Sequence, residues 1–260
     1  MLEAVLNAVR AVAREEVMPR YLSVTHQRKS DGSLLTQADL AAQEALTREL
    51  RKIVDCPLLG EEMTERAQHD IWGNGTEHLW CVDPIDGTTN FVNGLPYFAM
   101  SIALLCGRRP VLGVVYDPVA DEMFYAGAGG GAFLNGERLP FKEQVPPLKQ
   151  AVAEVDFKRL SPNLARSLAE HPPYASQRNF GACALDWCYL AAGRVDVYLH
   201  GGQMLWDYAA GCLILAEAGG AMCTLDNDDF WSAPLWKRSA IAGFHPAIFA
   251  QWKDWVRRHQ

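Results

Sequence analysis

Leu2, Val5, Leu6, Val9, Val12 and Ala13 recur at helical spacing at the start of the chain, which predicts an amphipathic first helix. Residues 23–35 alternate short polar and apolar pieces around Ser30-Asp31-Gly32-Ser33 and read as a β-hairpin with an exposed tip. A second helix is predicted over residues 36–53, with Thr36 and Asp39 at capping-box spacing and Leu46, Leu50 and Ile53 as its apolar stripe. Residues 56–60 form a short strand ending in Gly60, and the polar stretch 64–77 reads as a surface loop. Residues 79–82 are a strand broken by Asp83-Pro84-Ile85-Asp86-Gly87, after which residues 88–92 begin a helix. Residues 100–106 and 111–116 then read as adjacent antiparallel strands, followed by strands at 122–126 and 132–134 and a tight Asn135-Gly136 turn.

Past Pro146-Pro147 the pattern changes. Strands at 152–155, 176–179 and 195–199 alternate with helices at 162–169, 182–192 and 204–218, and short strands close the chain. Alternation of this kind points to a layered α/β half, whereas the first half reads as α+β, two helices against an antiparallel sheet. The prolines therefore divide the chain into halves 1–147 and 148–260.

Composition narrows the class. The 260 residues are 49% hydrophobic and 21% charged, enough for a packed interior. Net charge is −7 with no run of five basic residues, which disfavours nucleic acid as a main partner. No apolar run is long enough to span a bilayer, and the early Glu3 argues against a signal peptide. The cysteines are odd in number, scattered and free of C-x-x-C pairs, so reduced thiols in a cytoplasmic protein are expected.

The densest chemistry lies in Asp83-Pro-Ile-Asp86-Gly87-Thr88-Thr89-Asn90. A strand end that presents two nearby carboxylates offers hard oxygen ligands of the kind magnesium takes, and the helix start that follows favours an anion. The alternative is a turn whose aspartates merely cap the helix. Two further acids bear on the choice. Glu61 follows the short strand at 56–60, and Asp207 stands in the first turn of an otherwise apolar helix within Leu205-Trp206-Asp207-Tyr208-Ala209-Ala210-Gly211. Alone, Asp207 is a helix-dipole partner and Glu61 a solvated surface acid.

In this order, D-P-I-D-G-T-T-N and W-D-x-A-x-G resemble the two signatures of the inositol monophosphatase family, within the superfamily that includes fructose-1,6-bisphosphatase. The resemblance covers nearly the whole chain and implies a layered α-β-α-β-α sandwich, a magnesium-dependent phosphomonoesterase, lithium sensitivity and a homodimer. It assigns one magnesium to Glu61, Asp83 and the Ile85 carbonyl, and a second to Asp83, Asp86 and Asp207. A third, weaker ion in some members leans on Glu61. Thr88, supported by Asp39, would orient and help deprotonate the attacking water, while Gly87, Thr88 and Thr89 meet the phosphate. Asp39 also has the simpler reading of closing the capping box with Thr36. Lys29 and the Asp31-Gly32 tip match a mobile family loop near the metals, or an ordinary exposed turn.

Two departures bear on the substrate. Inositol phosphatases of the family carry a hydroxyl-reading acid seven residues before the Trp-Asp aspartate, and here that position is His200. Gly181-Ala182-Cys183-Ala184 replaces a Gly-Ser/Thr-Ala-Ala run and loses a hydroxyl. Inositol 1-phosphate or a related polyol or sugar phosphate is the expected substrate. Histidinol phosphate, 3′-phosphoadenosine 5′-phosphate and fructose 1,6-bisphosphate are alternatives, and a non-catalytic regulatory role is a further one. Trp187, one turn beyond Cys183, reads as core rather than as a base-stacking group.

Overall fold

The computed structural model describes residues 1–23, 26–28, 34–232 and 234–260. The proposed hairpin tip, with Lys29, Asp31 and Gly32, lies outside the described residues. Helix α1 (Leu2–Val12) opens the chain and runs on through a π-helical turn to Val17. Short strands β1 (His26–Arg28) and β2 (Leu34–Thr36) pair antiparallel ahead of α2 (Gln37–Ile53). Then follow β3 (Leu58–Gly60), α3 (Glu65–Gly73), β4 (His78–Asp86) and α4 (Thr88–Asn93). Strands β5 (Ala99–Cys106), β6 (Arg109–Asp117), β7 (Glu122–Gly127), β8 (Gly131–Leu134) and β9 (Glu137–Arg138) complete a seven-stranded sheet in the order β3-β4-β5-β6-β7-β8-β9.

The second sheet uses β10 (Val152–Asp156), β11 (Ser176–Arg178), β12 (Val197–Met204), β13 (Ala221–Cys223) and β14 (Lys237–Gly243), in the order β11-β10-β12-β14-β13. Its helices are α5 (Pro162–Glu170), α6 (Cys183–Ala191), α7 (Leu205–Glu217) and α8 (Pro246–His259). The result is the α-β-α-β-α sandwich. The buried stripe of α1 and α2 (Val5, Val9, Val12, Leu46, Leu50) packs on Trp80, Val82, Ile102 and Val114 of the first sheet. Alternate residues of the same strands, Leu79, Cys81, Ala103 and Val115, face a second core shared with α6, α7 and the five-stranded sheet. Strand β4 is therefore buried on both faces, which explains its unbroken apolar run.

Helix α7 lies between the two sheets and is buried on nearly every side. It touches α6 so closely that a Cβ on Gly211 would stand 2.4 Å from the Trp187 Cβ, so only glycine fits there. Trp187 is a core residue, as expected, with its indole N–H donated to Gln203 at 2.8 Å.

Four local expectations differ from the structure. Residues 64–77 are not a loop throughout: Thr64 caps α3, and Gln68 of that helix donates to the Gly60 and Glu61 carbonyls at 2.9 and 3.0 Å. Helix α3 has too few apolar positions to show periodicity, and tertiary contacts such as Trp72 against Trp236 hold it. Strand β4 does not stop at residue 82 but reaches Asp86 through a shift in register after Asp83. Strand β12 likewise passes residue 199 to Met204, with a register shift between His200 and Gln203. Finally, the chain closes on α8 rather than on strands, its Ile248, Trp252 and Val256 buried against the second sheet.

Candidate active site

The bulge in β4 turns two carboxylates to the same side. Asp83 accepts the Ile85 N–H at 3.0 Å, tightening the turn through Pro84. Gly87 then adopts φ +87°, a left-handed conformation that glycine takes without strain, and starts α4. Thr88 donates its hydroxyl to the Ile85 carbonyl at 3.1 Å, while Thr89 is exposed on the first turn. Asn90 ties this segment to the other half, donating to the Tyr97 and Phe180 carbonyls, each at 2.7 Å.

Asp207 arrives from α7. It occupies the third helical position and accepts the Met204 N–H at 2.8 Å, which leaves carboxylate capacity facing β4. Ligand oxygens of Asp83, Asp86 and Asp207 all lie within 4.8 Å of one another. Glu61, at the end of β3, belongs to the same electrostatic neighbourhood. Burial, then the charges of Glu61, Asp86 and Asp207, raise Asp83 well above the usual carboxylate range. Burial and then Asp86 and Glu61 do the same for Asp207. Asp86 is pushed up to about 7 by burial, against N–H bonds from Ala184, Cys183 and Gly87 and the added charge of Glu61. Mutual elevation marks a site that lacks positive charge, and a divalent cation reverses that balance. The all-oxygen donor set fits magnesium.

Asp86 has a second part. Its Oδ2 accepts the Ala184 N–H at 2.7 Å, so a carboxylate from the first sheet caps α6, whose own N-cap residue, Ala182, has no side-chain donor or acceptor. Gly181 and Ala182 sit directly against Gly87: a Cβ added there would meet the Ala182 Cβ at 2.9 Å and the Gly181 carbonyl at 3.4 Å. Asp39 is buried at the start of α2, its Oδ2 accepting the Thr36 N–H at 2.7 Å and the Thr36 hydroxyl at 2.6 Å in a complete capping box.

His200 is placed differently from a solvent-facing hydroxyl reader. It is buried in β12, accepts the Gly202 N–H on Nδ1 at 3.1 Å, and has Nε2 3.2 Å from Asp156 Oδ2. Asp156, Glu154 and Asp186 form a group of acids that sequence reasoning missed. They come from β10 and α6, and no short-range spacing links them.

The inositol monophosphatase family profile matches residues 1–254. The chain belongs to that family. It is 36% identical over 235 residues to an inositol-1-monophosphatase of Mesorhizobium japonicum, covering 87% of this chain and 85% of that protein. It is 39% identical over 211 residues to the Nus factor SuhB of Pasteurella multocida, covering 76% and 74% of the two chains. Among solved structures, the extragenic suppressor protein suhB of Bartonella henselae matches with TM-score 0.84 and 31% identity over 98% of both chains. An IMPase of Thermotoga maritima matches with TM-score 0.83 and 29% identity over 99% of this chain and 98% of its own. Fold, profile and carboxylate cluster together make this inositol monophosphatase family member a metal-dependent phosphomonoesterase. Among the described residues no helix is long and apolar enough to cross a membrane.

Proposed function

We infer that the chain hydrolyses inositol 1-phosphate or a related polyol or sugar phosphate with magnesium. The observation that carries this reading is the convergence of Asp83, Asp86 and Asp207 within 4.8 Å beside the start of α4. Glu61, Asp83 and the Ile85 carbonyl would hold one ion, and Asp83, Asp86 and Asp207 a second, with Glu61 serving a third where one binds. The Ile85 carbonyl accepts the Thr88 hydroxyl, and a carbonyl oxygen with two lone pairs is a suitable donor to a cation. Magnesium, when bound, supplies charge that lowers the pKa of water and stabilises both oxygens of an in-line displacement.

The protein's own groups do the rest. Thr88 orients the attacking water, with Asp39 supporting it from α2. Thr88 and Thr89 offer backbone N–H groups to the phosphate beside the Gly87 turn, and Gly181 and Ala182 close the wall opposite them. Positioning and electrostatics carry phosphoryl transfer, so a rigid cradle of this kind suits the reaction. The relatives named inositol-1-monophosphatase in Mesorhizobium, Rhizobium and Caulobacter support the choice of substrate.

The test is phosphate release with magnesium from inositol 1-phosphate, histidinol phosphate, 3′-phosphoadenosine 5′-phosphate and fructose 1,6-bisphosphate, with Asp83→Asn as blank. Inositol 1-phosphate is expected to turn over fastest, with inhibition by lithium. Preference for another ester would move the chain to that branch. A regulatory reading draws on relatives named Nus factor SuhB. Silence toward every ester by a folded, magnesium-binding protein would favour it.

A further inference from the structure

Strands β10 and β12 are parallel neighbours, and their register sets Asp156 directly beside His200. The Gly202 N–H occupies the lone pair of His200 Nδ1, so the neutral ring carries its proton on Nε2, aimed at the Asp156 carboxylate 3.2 Å away. Exposure separates the two side chains: that of His200 is 3% accessible and that of Asp156 21%. The carboxylate, not the imidazole, is the polar group of this pair that meets solvent.

The pair lies close to the metal centre through one residue. Cys183 Sγ is 3.5 Å from His200 Nε2, and the next residue, Ala184, gives its N–H to Asp86. Asp156 also retains acceptor capacity. Its Oδ1 takes the Lys158 N–H at 3.0 Å and its Oδ2 faces His200, which fills two of roughly four acceptor positions on a carboxylate. Arg159, half exposed, stands 3.9 Å from Oδ2 and is too distant for a close pair. Burial lowers the pKa of His200, in spite of Asp156. Burial opposes ionisation of Asp156, but His200, the Lys158 N–H and Arg159 together outweigh it and keep that carboxyl below its usual range.

We propose that Asp156 is the group that reads substrate hydroxyls, and that His200 is the residue that positions it. The inference rests on the phosphatase reading above and deepens it. The acid expected at position 200 is supplied instead from the neighbouring strand, at the same level of the sheet. A carboxylate that accepts from a hydroxyl favours polyhydroxylated esters over bare ones, because bound ester displaces its water and an acceptor then left without a donor is costly.

The experiment compares kcat/KM for inositol 1-phosphate with that for cyclohexyl phosphate, which has the same ring and phosphate without hydroxyls. Asp156→Asn still accepts the Lys158 N–H and so keeps the local turn. It is expected to lower the ratio by about tenfold, the scale of one hydrogen bond to a charged group. An equal fall for both esters, or an unchanged ratio, would overturn the proposal, since a purely structural aspartate does not distinguish them. His200→Gln retains a donor toward Asp156 and is expected to preserve more of the ratio than His200→Leu. Equal loss in the two variants would remove His200 from the account. If the wild type hydrolyses neither ester, the choice of inositol 1-phosphate as substrate fails separately. Calorimetric affinities for the same two esters with magnesium then decide the matter: an Asp156-dependent preference for the hydroxylated ester supports the proposal, and no preference overturns it.

Discussion

Two groups of acids flank the start of α6, and their surroundings treat charge differently. Asp83, Asp86 and Asp207 face one another, with oxygens within 4.8 Å, and the protein donors that reach them are backbone N–H groups: Ile85 to Asp83, Ala184, Cys183 and Gly87 to Asp86, and Met204 to Asp207. Glu154, Asp156 and Asp186 face protein donors instead. Tyr97 gives its hydroxyl to Asp186 at 3.0 Å, Phe180 its N–H to Glu154 at 3.2 Å, and His200 its ring proton to Asp156. Burial raises Glu154 to about 7, and its second oxygen is buried without a hydrogen-bond partner, so this acid is suited to holding its own proton. Carboxylates turned toward one another call for a cation. Carboxylates turned toward separate donors are held by the fold itself, and Glu154 does so by keeping its proton.

The contrast can be broken most forcefully at Asp83. Asp83→Asn is expected to lower turnover by about a hundredfold or more, the scale of removing one electrostatic stabiliser from a reacting centre. The same variant should not melt below the wild type in the absence of metal, because asparagine still accepts the Ile85 N–H and removes one of the mutually repelling carboxylates. Steady-state kinetics and metal-free calorimetry check both halves. A lower metal-free Tm would mean that repulsion does not govern this cluster.

Removing a donor from the other group should act in the opposite way. Tyr97→Phe takes the hydroxyl from Asp186 and is expected to cost about 1–3 kcal/mol of stability, the usual penalty for an unsatisfied buried group. Denaturant titration should show the same loss with and without magnesium. A loss that magnesium abolishes would merge the two groups into one.

The pH dependence of stability sharpens the comparison further. Asp86 stands at about 7 in the folded chain, against about 4 for an unfolded aspartate. Between those values the folded state holds more protons than the unfolded one, so the Asp86 contribution to metal-free stability is full below about 4 and is lost as pH rises through about 7. Magnesium should flatten the share that belongs to Asp83, Asp86 and Asp207, while Glu154 leaves a residual slope. Tm measured from pH 4 to 8, with and without magnesium, reads both. The smallest effect is expected from Gly87→Ala. Its φ of +87° costs a side chain about 1–2 kcal/mol, and the Ala182 Cβ would have to yield. Turnover should fall more than stability if that contact shapes the phosphate cradle.

The sequence alone determined the short-range chemistry. Asp83 and Asp86 act across one bulge, Gly87 permits the turn that starts α4, and Thr36 with Asp39 caps α2, because each depends on a handful of adjacent residues. The apolar stripes of α1 and α2 were legible for the same reason. Helix α3 was not, since its sequence carries little periodicity, and packing decided it. Only the tertiary structure brought Asp207 to Asp83, set the Ala184 N–H on Asp86 across 98 residues, and laid Asp156 beside His200. Those contacts follow from strand order and from the closing of long loops around a common core, and no local pattern of residues encodes which distant strand becomes a neighbour.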